Sequence, residues 1–342
     1  MQWSSQSDRR DAEERQTPAW QQELARAITD PAELLAALDL DPAWLPAAQA
    51  AARRFALRVP RGFMARMRRG DPHDPLLRQV LPLAEECLAA PGFSSDPVGD
   101  LAAIAVPGVL HKYQGRVLLT ATAACAVHCR YCFRRHFPYA ESSAGTDHWQ
   151  TALDYLAQDH SLKEVILSGG DPLTLSDRRL AEFIRAAAGI THLERLRIHT
   201  RLPVVLPERI TPEFVRMLTS SRLSAVIVIH ANHANEVDDV VTGALAQLRG
   251  AGVTLLNQSV LLRGVNDSAD TLAALSEVLF AAGVLPYYLH MLDRVQGAAH
   301  FEVPDDAAGD LVRQLTARLP GYLVPRLVRE VTGAPGKQLV SE

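Results

Sequence analysis

Six short runs of apolar and β-branched residues alternate with segments of helical period, and this alternation constrains the fold more than any other feature. The predicted strands are Val117–Thr122, Glu164–Ser168, Leu196–Thr200, Ala225–His230, Thr254–Leu262 and Pro286–His290. Strands that alternate with helices form parallel βα units joined by right-handed crossovers, so we predict an α/β fold. Several runs are almost continuously apolar, which predicts burial on both faces of a parallel sheet. Functional residues are then expected at the carboxyl ends of the strands.

The first 100 residues lack this alternation and are predicted to be helical. Asp30 and Asp41 are each followed by proline, which is typical of a helix N-terminus. A further helix is predicted to carry Cys87, as a small buried apolar residue. We therefore divide the chain into an N-terminal helical region (1–100), a βα core (101–330) and a C-terminal tail (331–342). An extended stretch, Tyr322–Val328, precedes the Gly/Pro-rich tail, and no linker separates independent domains.

The composition excludes several classes of protein. The 342 residues are 48% hydrophobic and 22% charged, as in ordinary globular proteins. The net charge of −4 provides no basic field, so neither nucleic acid nor a membrane is an expected partner. The basic run of Arg66, Arg68 and Arg69 is predicted to be a solvated helix face. Because no apolar stretch approaches about 18 residues and Met1–Arg15 is polar, we expect a cytoplasmic protein.

Three of the four cysteines, Cys125, Cys129 and Cys132, lie together directly after the first predicted strand. In a reducing compartment, clustered cysteines are more often metal ligands than disulfides. Three thiolates at this spacing can hold three irons of a [4Fe–4S] cube and leave the fourth iron open. One alternative is a structural zinc site with His128 or His136 as fourth ligand, although this spacing is unusual for zinc. The other alternative is a set of inert thiols.

The pattern Cys-x3-Cys-x2-Cys after the first strand of a βα array resembles the radical S-adenosylmethionine (SAM) enzymes. The resemblance implies a partial (β/α)6 barrel in which SAM chelates the open iron of a [4Fe–4S] cluster. An external electron donor is implied too, because one electron from the cluster cleaves SAM to a 5′-deoxyadenosyl radical. The segment Ser168–Pro172 resembles the family's glycine-rich loop, whose backbone contacts the methionine amino group. Gly169, Gly170 and Asp171 are therefore candidate cofactor-binding residues.

Four further segments resemble the lysine 2,3-aminomutases, which use pyridoxal 5′-phosphate (PLP) beside SAM. These segments are Cys129–Arg135, Gln258–Asp267, Tyr287–Asp293 and Gly333–Lys337. The resemblance implies that Lys337 forms the Schiff base with PLP and that Gln258, Tyr113 and Arg116 contact the cofactors. The glycines beside Lys337 would let the backbone approach PLP closely. The chain has only two other lysines, of which Lys163 is predicted to be solvated and Lys112 is a candidate phosphate ligand.

The same resemblance implies a substrate that is held at both ends. Arg134 matches the family's ligand for the α-carboxylate, a role that suits a bidentate guanidinium. Asp293 matches one of two carboxylates that bind the far ammonium of lysine, and Glu330 stands where free-lysine aminomutases carry aspartate. The implied reaction is an isomerisation. The adenosyl radical removes a hydrogen from the β-carbon and the amino group migrates, which converts L-α-lysine to (R)-β-lysine.

The segment Cys129–Tyr139, Glu330 and the short C-terminus resemble the branch that makes (R)-β-lysine for post-translational modification of elongation factor P. A functional link to the ligase that attaches β-lysine to elongation factor P is thereby implied. The alternatives are a catabolic free-lysine 2,3-aminomutase, a radical enzyme without PLP, and an iron–sulfur protein without turnover. A glutamate-type aminomutase is disfavoured because Asp293 and Glu330 would repel a side-chain carboxylate.

Overall fold

A ten-stranded sheet forms the centre of the computed structural model, which describes residues 17–142 and 149–340. The strands are β1 (Ile104–Val106), β2 (Val109–Tyr113), β3 (Arg116–Thr122), β4 (Glu164–Gly169), β5 (Arg195–Thr200), β6 (Ser224–Ile229), β7 (Thr254–Val260), β8 (Leu285–His290), β9 (Arg326–Arg329) and β10 (Gln338–Leu339). They lie side by side in chain order.

Helices connect the parallel strands, and shorter helices make up most of the N-terminal region. They are α1 (Ala19–Ala25), α2 (Pro31–Ala37), α3 (Leu45–Arg54), α4 (Arg61–Met64), α5 (Pro75–Arg78), α6 (Tyr139–Ser142), α7 (Trp149–Gln158), α8 (Asp177–Ala188), α9 (Leu202–Val205), α10 (Pro212–Thr219), α11 (Asp239–Gly250), α12 (Ala269–Ala281) and α13 (Asp305–Arg318). Asp30 caps α2 as predicted, since its carboxylate accepts from the amide of Ala32 at 2.9 Å.

Strands β3 to β9 are parallel, and a helical crossover connects each to the next. The fold is therefore the expected partial (β/α)6 barrel, with β9 as a seventh parallel strand after the sixth crossover. All six predicted strands are present, with bounds shifted by at most two residues. Antiparallel pairing extends the sheet at both edges, through β1 and β2 beside β3 and through β10 beside β9.

The prediction that the parallel strands are buried on both faces is correct only for β4, in which five of six residues are buried. Strands β5 and β7 instead alternate between buried and partly exposed residues. The partly exposed Arg197 and His199 of β5 and Gln258 of β7 line an internal cavity. Their inward faces meet this cavity rather than a packed core, which is the physical reason for the alternation.

The N-terminal region is helical as predicted, but two details of that prediction are wrong. Cys87 ends a short 3-10 helix, Ala84–Cys87, and is half-buried rather than enclosed. Arg66, Arg68 and Arg69 follow α4 instead of lying on a helix, and only Arg68 and Arg69 are exposed. Arg66 is largely buried and donates to the backbone carbonyls of Val204, at 2.6 Å, and Glu236.

One hydrophobic core joins the N-terminal region to the barrel. It includes Trp20 and Phe63 from the N-terminal helices together with Val165, Leu196 and Ile227 from the strands. The N-terminal region is therefore packed onto the barrel as a covering layer. Among the described residues, no helix combines the length and the apolar character needed to cross a bilayer.

Candidate active site

A cavity of about 630 Å³ brings together all thirteen of the predicted site residues. It is lined by residues at the carboxyl ends of the parallel strands, by the loop after β3, and by Lys337 from the tail. Its size is typical of a site for cofactors and small ligands. The predicted residues among its lining are Tyr113, Arg116, Cys125, Cys129, Cys132, Arg134, Gly169, Gly170, Asp171, Gln258, Asp293, Glu330 and Lys337.

The cysteine loop, residues 123–132, carries three half-buried free thiols into this cavity. Burial raises the pKa of Cys125 well above its ordinary value, and the neighbouring Cys132 and Cys129 raise it further. Burial, together with Cys129, raises the pKa of Cys132 to about 11. The thiolate forms of Cys125 and Cys132 are therefore unfavourable unless a bound cation compensates their charge. This donor set fits a bound iron–sulfur cluster.

A site for a single metal ion and a site for a [4Fe–4S] cluster require different arrangements of the three cysteines. Within the described part of the chain, no group of three His, Cys, Asp or Glu side chains is arranged around one metal ion. A [4Fe–4S] cube takes each thiolate on a different iron, so its ligands need not converge on one point. The two histidines considered as a fourth zinc ligand face backbone carbonyls, His128 that of Ala56 at 2.8 Å and His136 that of Gln296 at 3.3 Å.

The glycine loop, residues 168–172, packs directly against the cysteine loop. Gly169 has a φ of +113°, and a Cβ atom on Gly170 would overlap the carbonyl oxygen of Ala124. The amides of Gly170 and Asp171 donate to the carbonyls of Thr122, at 2.6 Å, and Ala124, at 2.7 Å. Since these two amides already donate to the protein backbone, the loop would bind a cofactor's amino group through its carbonyl oxygens, which accept hydrogen bonds.

The Asp171 carboxylate holds this part of the barrel together. It accepts from the amide of Leu173, the hydroxyl of Thr200 and the amide of Arg201, at 2.7–3.0 Å. Burial raises its pKa to about 6, against these hydrogen bonds. The contacts give Asp171 a role in positioning the glycine loop, so its predicted cofactor contact would come from the backbone.

Arg134 lies buried in the cavity wall and is held by two side chains. It donates to Asp100 at 2.7 Å and to Ser168 at 3.0 Å. The other oxygen of Asp100 pairs with Lys112 at 2.6 Å. Burial opposes ionisation of Asp100, but Arg134 and Lys112 outweigh it and lower the pKa of the carboxyl group. Asp100 was not predicted, because nothing in its local sequence distinguishes it from an ordinary turn residue.

Glu330 lies at the meeting point of three donors. Its carboxylate accepts from the hydroxyl of Tyr113 at 2.6 Å, from Lys337 at 2.8 Å and from Lys112 at 3.3 Å. Although burial acts against ionisation, Lys337, Tyr113 and Lys112 lower its pKa to about 2. Lys112, a predicted candidate phosphate ligand, is thus engaged by two carboxylates.

Asp293, the second predicted carboxylate, has the opposite electrostatics. Burial raises its pKa to about 7, and the charges of Glu330 and Asp100 add to this, against the effect of Lys337. The site therefore combines one permanently ionised carboxylate with one that titrates near neutrality. We call Asp293 and Glu330 the carboxylate pair.

Comparison with known proteins identifies the family. Residues 119–275 match the model of the radical SAM superfamily. The chain is 54% identical over 319 residues to L-lysine 2,3-aminomutase of Escherichia coli K12, covering 93% of both chains. It is 50% identical over 328 residues to L-lysine 2,3-aminomutase of Haemophilus influenzae, covering 96% of this chain and 97% of the other. This chain belongs to the lysine 2,3-aminomutase family.

A solved radical SAM methyltransferase from Sphaerobacter thermophilus is 17% identical, with a TM-score of 0.43, over 67% of this chain and 72% of the other. As a lysine 2,3-aminomutase family member, the chain is an isomerase of the radical SAM superfamily. The superfamily implies a [4Fe–4S] cluster and SAM, and the aminomutase relatives imply PLP. The thiol triplet, the glycine loop and Lys337 lie around one cavity, so the residues present fit all three groups.

Three histidines that were not predicted also line the cavity of this aminomutase. His199, His230 and His290 lie at the carboxyl ends of β5, β6 and β8, and the Nε2 atom of each is buried without a partner among the described residues. Burial lowers their pKa values, that of His230 to about 4, so the rings are neutral. The buried Oε1 of Gln258 likewise has no partner there. The strand-end rule, applied to each predicted strand, would have found these histidines.

Proposed function

We propose that this aminomutase converts L-α-lysine to (R)-β-lysine with both ends of the substrate bound in the cavity. The observation that carries the proposal is the position of the Lys337 ammonium, which lies 2.8 Å from Glu330 and whose charge also lowers the pKa of Asp293. A primary ammonium on a four-carbon chain thus already pairs with Glu330, one member of the carboxylate pair. The side chain of a lysine substrate presents the same group, and the pair would hold it in the same way.

Arg134 binds the substrate α-carboxylate in this proposal. Its guanidinium is buried, faces the cavity, and is oriented by Asp100 and Ser168. Arg134 is joined to Glu330 through Asp100 and Lys112, in a continuous series of ion pairs. The two ends of the substrate site are therefore held in a fixed relation by side chains from the segment before β1, from β2, from the residues just after the cysteine loop and from the segment after β9.

Lys337 is the proposed attachment point of PLP. When its amine is used in that attachment, the Lys337 ammonium no longer neutralises Glu330, and the carboxylate pair is released for the substrate ammonium. Arg116, Tyr113 and Gln258 face the same cavity and are the proposed cofactor contacts. When bound, the cluster and SAM supply the radical, and PLP supplies the carrier for the migrating amino group.

The decisive experiment is an anaerobic assay of the reconstituted protein with L-lysine. We expect (R)-β-lysine as product and 5′-deoxyadenosine on addition of SAM and dithionite. Borohydride should trap PLP at Lys337 and not in the Lys337→Ala variant, with Lys163→Ala as control because Lys163 is exposed and pairs with Glu194. Absence of 5′-deoxyadenosine would instead support an iron–sulfur protein without turnover.

We further propose that the (R)-β-lysine serves in modification of elongation factor P. The segment Cys129–Tyr139 and the glutamate at position 330 support this use over catabolism of free lysine. The test is the mass of elongation factor P from cells that lack the gene for this chain. We expect loss of the β-lysyl mass increment and its return on complementation, and an unchanged mass would favour the catabolic alternative.

A further inference from the structure

A buried arginine contacts one of the three proposed cluster ligands. Arg201 directly follows β5 and is 4% exposed. Its Nη1 atom lies 2.7 Å from the sulfur of Cys129, and its Nη2 atom donates to Gln79 at 2.6 Å and to Glu236 at 2.9 Å. The guanidinium therefore places a positive charge directly against a sulfur that faces the cavity.

The surroundings of Arg201 leave its guanidinium little freedom. The rings of Phe63 and Tyr131 lie 5.3 and 5.7 Å from its Cζ atom, and its backbone amide donates to Asp171. Glu236, which anchors the other side of the guanidinium, also accepts from Gln79 at 3.0 Å. A charge that is fixed by packing acts on its neighbour without the entropy cost of being ordered first.

We propose that Arg201 is a positioning residue that donates a hydrogen bond to the Cys129 thiolate and raises the reduction potential of the bound cluster. The proposal rests on the proposed assignment of Cys129 as a ligand. Reduction adds one electron, from an external one-electron reductant, and breaks no bond. The added negative charge spreads in part onto the thiolate sulfurs, so a guanidinium N–H···S bond stabilises the reduced cluster more than the oxidised one.

Glu236 supplies the opposite effect within the same network. Its carboxylate is fully buried and pairs with Arg201, so it partly cancels the positive charge that Cys129 experiences. In this proposal, the reduction potential of the cluster depends on the opposing effects of two fixed charges, the positive charge of Arg201 and the negative charge of Glu236. Removal of either partner should shift the potential, in opposite directions, whereas general structural damage has no reason to produce opposite signs.

The test is a redox titration of the reconstituted cluster, followed by electron paramagnetic resonance, in the absence of lysine and PLP. Arg201→Gln should reduce the equilibrium constant for cluster reduction about tenfold, equivalent to about −59 mV for a one-electron couple. Glu236→Gln should raise it. Arg222→Gln is the matched control, since Arg222 donates to three backbone carbonyls and does not line the cavity.

Arg201→Lys keeps the charge but not the fork of donors, so its reduction potential should lie between those of the wild type and Arg201→Gln. If Arg201→Gln fails to fold, Arg201→Lys and Glu236→Gln together test the proposal. A potential unchanged in Arg201→Lys and Glu236→Gln, or shifts of the same sign in these two variants, would overturn the role of Arg201. Failure of the wild-type protein to bind a cluster would instead refute the proposed ligands, independently of any lysine activity.

Discussion

At the scale of single residues, the carboxylate pair shows how the surroundings set the behaviour of an acid. Glu330 accepts from Tyr113, Lys112 and Lys337, and these contacts lower its pKa to about 2. Asp293 makes no such side-chain hydrogen bond within the described ranges, and burial raises its pKa to about 7 against the charge of Lys337. Glu330 is therefore ionised at any physiological pH, while the charge on Asp293 depends on the pH of the solution.

The affinity for L-lysine should consequently rise between pH 6 and pH 8. Asp293 is protonated below its raised pKa and ionised above it, and only the ionised form attracts the substrate ammonium. The measurement is the KM for L-lysine across this range, in the wild type, in Asp293→Asn, and in Asp306→Asn as an exposed control. We expect a KM that falls with pH in the wild type and the control but is flat in Asp293→Asn. A wild-type KM that rises with pH would contradict the assignment.

Replacement of Glu330 by glutamine should weaken recognition of the substrate's charged end. Loss of a charge-assisted contact costs about 1.5–3 kcal/mol, or roughly 10- to 150-fold in kcat/KM. Glu330→Asp keeps the charge and should lose less. Norleucine, which has no terminal ammonium, serves as the comparison, because its weak binding should be unaffected or improved in Glu330→Gln. Equal losses for lysine and norleucine would place Glu330 outside the ammonium site, and Glu302→Gln serves as the control.

At the scale of elements, the site depends on the contact between two loops at the ends of neighbouring strands. The glycine loop after β4 donates to the last carbonyl of β3 and to a carbonyl of the cysteine loop, at a distance that leaves no room for a Cβ atom at position 170. Gly170→Ala should therefore push the loops apart and destabilise the protein by about 1–3 kcal/mol. Iron content after reconstitution should fall with it.

Gly243→Ala provides the matched control for this substitution. Gly243 lies within α11, and nothing lies within 4 Å of the position of a Cβ atom there. Alanine in a helix is favoured over glycine by about 0.5–1 kcal/mol. The melting temperature of Gly243→Ala should therefore stay the same or rise. If the two variants had the same melting temperature and iron content, the contact between the loops would not be limiting.

The strands that were predicted and those that were not differ in a physical way. The six parallel strands that were predicted have six or seven residues each, and their apolar runs recur between helical segments. β1 and β10 have three and two residues, too few to show a pattern, and exist only because a neighbouring strand supplies their hydrogen bonds. β10 continues directly from Lys337, so its pairing with β9 fixes where the candidate Schiff-base lysine lies.

At the scale of the whole molecule, the N-terminal layer and much of the barrel share one hydrophobic core. The layer also supplies Asp100 and Gln79 to the networks around Arg134 and Arg201. The division at residue 100 therefore describes a change in secondary structure, and the site needs residues from both sides of it.

Unfolding by urea should accordingly be a single transition. Trp20 and Trp44 report on the N-terminal layer and Trp149 on the barrel helix α7, so variants that retain only one of these three fluorophores, with Trp3 also replaced, follow each part separately. We expect their midpoints to coincide with each other and with the loss of circular dichroism. A separate early transition of Trp20 or Trp44 would show that the layer unfolds alone.

The sequence by itself determined where six of the strands lie along the chain and which three cysteines cluster, because strand runs and ligand motifs are local patterns. It also singled out Lys337, since the chain has only three lysines and one follows a glycine-rich turn. Only the tertiary structure decided that Asp100 links Arg134 to Lys112, that Arg201 meets Cys129, and that Glu330 and Asp293 differ in charge. Those contacts join residues 12 to 218 positions apart, and a carboxylate's pKa depends on which distant donors folding brings beside it.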